Sequence, residues 1–384
     1  MRLLFVGTNP GGGGTESHII SLARALADAG HDVAAAVRPD DFIHRGLAQD
    51  SRIQLFPAEF RTRRDVRAWR DLASLARTLR PEWIIGSFKL EYWGIAAAAK
   101  VARVPLVLFS HLDQRIRPVM VNRLTRLVRL VIVPSEYART RAIERGLPAS
   151  RVVALPNPID VDRFKASRVL RAQTRASLGI GRGDVVLGYV GRLERPKGVE
   201  TLARAVNEAM SAQPRLRMLW VGHGIRENAV RGIVQSSGFE ARHHWMPWLE
   251  DVLPAYNAMD MLALPSEGSE TFGRVLVEAQ ACSIPVIGAG NGGIPEALAD
   301  GVTGELVPPG DWAGWAKTIA HLADDDGERR RLASGARGFA LQFDSRRIAA
   351  EFERILTAYS PRRTSVTPLP TTPKVTHSRK AAAD

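Results

Sequence analysis

Glu270 and Glu278 stand eight residues apart, the first in a loop after an apolar run and the second inside a helical stretch over residues 274–281. On that reading the amides of Thr271, Phe272, Gly273 and Arg274 open a helix, and the positive end of a helix attracts a phosphate. Glu278 falls further along it, where a carboxylate can accept paired hydrogen bonds from ribose hydroxyls. The spacing suits equally well two glutamates that only favour a helix N-terminus. Arg192 and Lys197 lie five apart in a loop over residues 191–198, where two flexible cations can converge on a diphosphate or simply cap a surface turn. Within it, Glu194 and Arg195 are expected to pair in solvent. The glycines at 11–14 can adopt backbone conformations closed to other residues and let amides approach a ligand. A nicotinamide enzyme would use such a cluster too, although the G-x-G-x-x-G spacing is loose and Arg38-Pro39, not an acid, follows the second strand. The triplets Asp160–Asp162 and Asp324–Asp326 can chelate a metal. Because Arg192 and Lys197 can supply the positive charge instead, both triplets are read as structural and no metal is expected.

Such groups must be held by strand, loop and helix units. Apolar runs of strand length occur at residues 3–6, 33–37, 83–85, 106–109 and 131–133, with the glycine loop and a helix over 17–29 between the first two. Turn chemistry over 156–164 and a polar helical stretch over 167–178 suit an interdomain connection. A second series opens with a strand at 185–190, the loop 191–198 and a helix at 199–210, and continues with strands at 216–221, 261–263, 285–287 and 305–307. This alternation predicts an α/β protein with parallel sheets wrapped by helices. Two doubly wound units are expected, residues 1–165 and 166–342, with a helix at about 343–360 joining the first and a disordered basic tail over 361–384. Ligands of such sheets bind beyond the carboxyl ends of the strands, so two facing units share one cleft.

The stretch over residues 265–310 resembles the E-x7-E motif of retaining glycosyltransferases of the two-domain GT-B fold, in the large family 4 group. Four other segments agree with it in order: GGGGTESH (11–18), PNPID (156–160) with Phe164, GRLERPKG (191–198) and VGHG (221–224). The resemblance implies two Rossmann-like domains facing across a cleft, the first on the acceptor side and the second binding the nucleotide sugar. It implies transfer of a hexose-type sugar from a nucleoside-diphosphate sugar to an acceptor hydroxyl, metal-independent and without cofactor, in cell-envelope polysaccharide or glycolipid synthesis. Arg192 and Lys197 would then hold the diphosphate and stabilise the charge that grows as it leaves. Glu270 would contact sugar hydroxyls, and Thr271, Phe272, Gly273 and Glu278 would complete the donor site. Gly13 and Gly14 match the loop that closes over sugar and phosphates. His111, in FSHLDQ, matches a position facing the donor sugar or reaction centre, with Asp113 placed to orient its ring. Without the resemblance, a lone histidine at a strand end is an ordinary hydrogen-bonded residue. Trp248, Leu249 and Glu250 match a region bordering the base, and Gly292, Gly293 and Glu296 a second loop read as structural. Two alternatives stay open: a hydrolase or epimerase acting on the nucleotide sugar itself, and a non-catalytic nucleotide-sugar-binding protein associated with membrane.

With 384 residues, 45% hydrophobic and 24% charged, the chain is globular in composition. Its single cysteine, Cys282, excludes an internal disulfide. The first apolar run is too short for a signal-peptide core and no run approaches a membrane span, so a cytoplasmic location is expected. The net charge of +13 is uneven: residues 1–165 hold 26 Lys+Arg against 16 Asp+Glu, residues 166–360 hold 22 against 23, and the tail holds 5 against 1. Arginines 115, 117, 123, 126 and 129 occur without an intervening acid, and residues 61–80 add seven more. A helix carrying Arg123, Arg126 and Arg129 on one side can lie on an anionic membrane, or present a solvated face while its apolar side packs on the sheet. Nucleic acid is discounted as a partner, because the basic segments hold few stacking aromatics and the glutamate-rich second half would repel a polyanion.

Overall fold

Continuous apolar runs such as LLFV and VVLGYV become central strands, because both faces of a parallel sheet are covered by helices. A computed structural model describes residues 1–88, 90–111 and 126–360. Its first sheet holds β1 (Arg2–Gly7), β2 (Asp32–Val37), β3 (Gln54–Pro57), β4 (Trp83–Gly86), β5 (Leu106–Phe109), β6 (Leu130–Val133) and β7 (Val152–Ala154). The second holds β8 (Val185–Val190), β9 (Leu216–Val221), β10 (His243–Met246), β11 (Met261–Leu264), β12 (Val286–Ala289) and β13 (Gly304–Val307). The spatial orders are β3-β2-β1-β4-β5-β6-β7 and β10-β9-β8-β11-β12-β13. The pairings described are parallel. These are the two doubly wound units that the alternating pattern predicts. Strands β3 and β10, which no continuous apolar run announces, lie at sheet edges, and so does β7, which falls in the short apolar run 152–155. There one side stays open and uniform burial is not required; β3 is exposed at both ends.

In each sheet the strand order reverses between two neighbours, β1 with β4 and β8 with β11. The crevice above that point is where such sheets take ligands. It gathers the loops after β1, β4, β8 and β11.

The helix after β1 runs Gly14–Asp28 and begins three residues before the expected start, since Gly13 is an extended N-cap and the next glycine is already helical. The last helix, Ser345–Ala358, returns to the first sheet and buries Ile348, Phe352, Ile355 and Leu356 there, with Phe352 5.5 Å from Phe109. The two passages between units are bonded to each other: Ile159 N–H donates to Phe343 O (2.8 Å) and Ser345 N–H to Ile159 O (2.9 Å). Among the described residues no helix is long and apolar enough to cross a membrane. Arg115, Arg117, Arg123 and Asp113 lie outside the described residues, as does the tail from residue 361. Arg129 is not helical but sits in the bend before β6, and its Nε donates to Tyr359 O (3.0 Å) at the end of the last helix.

Candidate active site

Because β8 and β11 are neighbours, the loops that follow them touch. Gly198 has φ +66°, and a Cβ there would lie 2.0 Å from Pro265 O, so the approach of the two loops requires glycine. The contact brings Lys197 Nζ onto Glu270 Oε2 as an ion pair, with Ser266 Oγ 3.4 Å from the same oxygen. Arg192 stands at the mouth with its side chain 69% exposed, bonded to Glu194 (2.9 Å). Glu194 thus pairs with Arg192 and not with Arg195. Its backbone is extended, and residues two apart in an extended segment share a side. The helix Arg274–Ala281 starts after Gly273 (φ +90°) with no side chain capping it, which leaves its first amides available to an anion.

Two other residues expected at the donor are buried. Phe272 is 1% exposed and packs 5.4 Å from Phe343, so it belongs to the core beneath the loop. Glu278 is also buried, and both of its oxygens are engaged, Oε1 by Arg274 Nε (2.7 Å) and Oε2 by the Tyr256 hydroxyl (2.7 Å). A ribose contact at Glu278 would have to share these oxygens with Arg274 and Tyr256, or displace them. Arg274 in turn donates to Pro158 O (2.8 Å) and lies 3.4 Å from Ser21 Oγ, joining the second unit to the connection and to the first helix. One sequence signal could have singled out Arg274: a cation in the first turn of a helix opposes the dipole and so implies a partner, here four residues on.

From the first sheet, Gly14 reaches the cleft, its Cβ position 4.0 Å from Arg274 Cδ. Of the four glycines only Gly11 (φ +108°) uses a conformation closed to other residues, and Gly13 is extended. Gly12 is needed for space, as a Cβ would lie 2.5 Å from the Trp248 ring. Trp248 therefore bridges to the glycine loop and to Phe42 (5.9 Å), while Glu250 pairs with Arg45 (3.0 Å). His111 lies between the units: its carbonyl accepts the Thr271 hydroxyl (2.8 Å), and its ring stacks on Phe109 (5.8 Å) and meets His18 edge-on (4.5 Å). His18 Nδ1 is 3.0 Å from Asn157 Oδ1, and neither histidine's Nε2 has a partner among the described residues. Burial, with the charge of Arg274 adding, pushes His111 down to about 3. It is neutral at pH 7 and can offer a hydrogen bond but no charge. Two further contacts clamp the units: Ser135 Oγ donates to Thr271 O (2.6 Å), and the carboxylate of Glu296 accepts the N–H groups of Glu136 and Tyr137 (2.8 Å each).

Among the described residues no three His, Cys, Asp or Glu side chains are grouped to hold a metal. Asp160 accepts the Arg163 N–H (2.9 Å) in a turn, and Asp325 caps a helix through Glu328 N–H (2.9 Å).

Glu91, which precedes the helix after β4, is fully buried. One oxygen accepts both the N–H and the hydroxyl of Thr8, just before the glycine loop, and the other has no partner among the described residues. Burial pushes its carboxyl up from 4.5 to about 7. Between those values the folded chain holds a proton that the unfolded chain releases, so stability falls as pH rises through this window, by about 3 kcal/mol in all. Glu91→Gln should therefore flatten this fall, giving a variant whose stability relative to the wild type improves from pH 5 to pH 8. Parallel denaturation profiles across that range would refute it.

Residues 12–163 match the family model described as Glycosyltransferase Family 4, and residues 184–325 match the one described as Glycosyl transferases group 1. The chain belongs to the family 4-type glycosyltransferases. In this family 4 chain the first matched range takes in β2 to β7 and the second β8 to β13, so Gly13 and Gly14 and the Lys197–Glu270 pair come from different matched halves. A D-inositol 3-phosphate glycosyltransferase of Actinosynnema mirum is 34% identical over 221 residues, 55% of this chain and 52% of its own length. The enzyme of the same name from Nocardia farcinica is 33% identical over 241 residues, 60% of this chain and 52% of its own length. The family 4 chain thus spans about half the length of these curated relatives. In fold it is similar to Anabaena Alr3699/HepE in complex with UDP and glucose, at 24% identity and a TM-score of 0.81, covering 93% of this chain and 100% of that one. The glycosyltransferase from Rickettsia africae ESF-5 has a TM-score of 0.84 at 16% identity, covering 94% and 99%.

Proposed function

We propose that this chain transfers a hexose-type sugar from a nucleoside-diphosphate sugar to an acceptor hydroxyl, with retention at the anomeric carbon and without a metal, in cell-envelope polysaccharide or glycolipid synthesis. One observation carries the reading. Arg192, Lys197, Glu270 and the uncapped helix start at Gly273 meet at the β8/β11 switch point, and Gly14 and His111 come to the same cleft from the first sheet. Two cations and a helix N-terminus suit a diphosphate whose charge grows as it leaves. When phosphate takes over Lys197, Glu270 is released to accept sugar hydroxyls. The bond from the anomeric carbon to the diphosphate oxygen breaks as the bond to the acceptor oxygen forms on the same face, and the acceptor proton passes to the departing diphosphate. The basic first domain would meet the acceptor, and a lipid-linked acceptor would bring it to an anionic membrane surface.

The Anabaena structure contains UDP and glucose, and the curated relatives are named for inositol 3-phosphate, which supports a UDP-hexose and a phosphate-bearing polyol as first substrates to try. Among UDP-, GDP- and ADP-sugars, the true donor should raise the melting temperature; at a hundredfold excess over its Kd it stabilises the folded state by about 2.7 kcal/mol. NMR of the product formed with that donor should then show the donor's own anomeric configuration. An inverted product, or release of free sugar at equal rates with and without acceptor, would sink the proposal.

A further inference from the structure

The donor-side sheet has a second concavity at its opposite edge. The amino ends of β8, β11 and β12, with the helices Arg168–Ser177 and Asp326–Ala340, enclose a cavity of about 440 Å³. Six arginines line it, at 168, 171, 182, 215, 329 and 330, against three aspartates, Asp184, Asp260 and Asp326. The aspartates are already engaged. Asp260 pairs with Arg171 (2.6 Å) and Arg175 (3.1 Å), Asp184 with Arg217 (3.0 Å), and Asp326 with Arg329 and Arg215. Arg168, Arg182 and Arg330 have no carboxylate partner among the described residues. All three are exposed, so none is held in place by burial.

This concentration is local. Residues 166–360 carry 22 basic against 23 acidic residues, so the surplus around the cavity is not the spill-over of a basic domain. With six arginines against three paired aspartates the wall is net positive, and a concave positive wall concentrates its field on the space beside it. Guanidinium forks match phosphate oxygens in pairs, which a cluster of ammonium groups would not. The volume lies within the range of about 300–1,000 Å³ usual for small-molecule sites, and a concavity suits a compact anion better than a bilayer face.

We propose that this cavity binds a small phosphate-bearing anion through Arg168, Arg182 and Arg330, at a site separate from the donor cleft. Tyr256 lines the cavity and donates its hydroxyl to Glu278, whose partner Arg274 bonds to Pro158 O in the connection between the units.

Titration calorimetry with inorganic pyrophosphate should find two sites per chain. The variant Arg168→Ala/Arg182→Ala/Arg330→Ala should keep only one, with its melting temperature unchanged, and Arg192→Ala/Lys197→Ala should keep only the other. The single change Arg330→Glu, on an exposed helix position, should weaken the cavity site at least tenfold and gives a second reading should the triple variant fold poorly. Unaltered stoichiometry in the triple variant, or a single wild-type site abolished by Arg192→Ala/Lys197→Ala, would overturn the proposal. Vesicles of phosphatidylcholine with phosphatidic acid separate the two sources of phosphate. Capture by them that the triple variant loses, without a second pyrophosphate site in solution, would overturn the small-anion assignment in favour of a lipid headgroup.

Discussion

Replacing Lys197 by alanine is expected to lower kcat/KM by about 10² to 10³-fold, the effect of removing one preorganised group that stabilises developing negative charge. Its melting temperature should hardly move. The Lys197–Glu270 pair sits in a partly open cleft, with side chains 26% and 19% exposed. Pairs open to solvent contribute about 0–1 kcal/mol. The ammonium is therefore placed for a ligand more than for stability. Arg192 remains in the variant and keeps part of the diphosphate grip, so nucleoside diphosphate should still bind, more weakly. Lys197→Arg should recover only part of the activity, because the planar fork cannot reproduce a compact point charge in the same space. Steady-state kinetics with the donor identified by thermal shift would decide it, and full activity in Lys197→Ala would remove the basis of the proposed reaction.

Glu278→Ala should behave in the opposite way, costing about 3–5 kcal/mol of stability. Glu278 and Arg274 have side chains 9% and 8% exposed, and their ion pair is 2.7 Å long. Removing the carboxylate leaves a buried guanidinium uncompensated and takes the acceptor from the Tyr256 hydroxyl as well. It also frees Arg274, whose bond to Pro158 O ties the helix to the connection between units. Urea denaturation is the direct measurement. A wild-type midpoint combined with weakened donor binding would instead establish the ribose role that the motif implied.

The comparison of these two glutamates shows where sequence reasoning stops. Their spacing on loop and helix is a local property, and the structure has Glu270 in the loop and Glu278 in the helix as the pattern predicts. Which way a helical carboxylate faces depends on what packs against it. Tyr256 comes from a helix that precedes β11, and nothing in the local pattern of either segment announces their meeting. Phe272 is a similar case, since an aromatic beside a glycine reads as a ligand platform until Phe343, from the returning chain, covers it. The glycine loop divides the same way. Gly11 carries its reason in its own backbone, whereas Gly12 is explained by the rings of Phe42 and of Trp248, the latter more than two hundred residues on.

The sequence by itself determined the parts that depend on neighbours along the chain: two alternating α/β series, the apolar central strands, the order of the motifs and the loops that bear Arg192, Lys197 and Glu270. Periodicity and turn chemistry are short-range, so they survive in a linear reading. Only the tertiary structure decided which groups touch. It paired Lys197 with Glu270 through adjacent strands, buried Glu278 under Arg274, set His111 against His18 without charge, and gathered arginines from four separate segments around one cavity. Burial and long-range pairing set those outcomes, because the energy of a charged or polar side chain follows from what surrounds it in space.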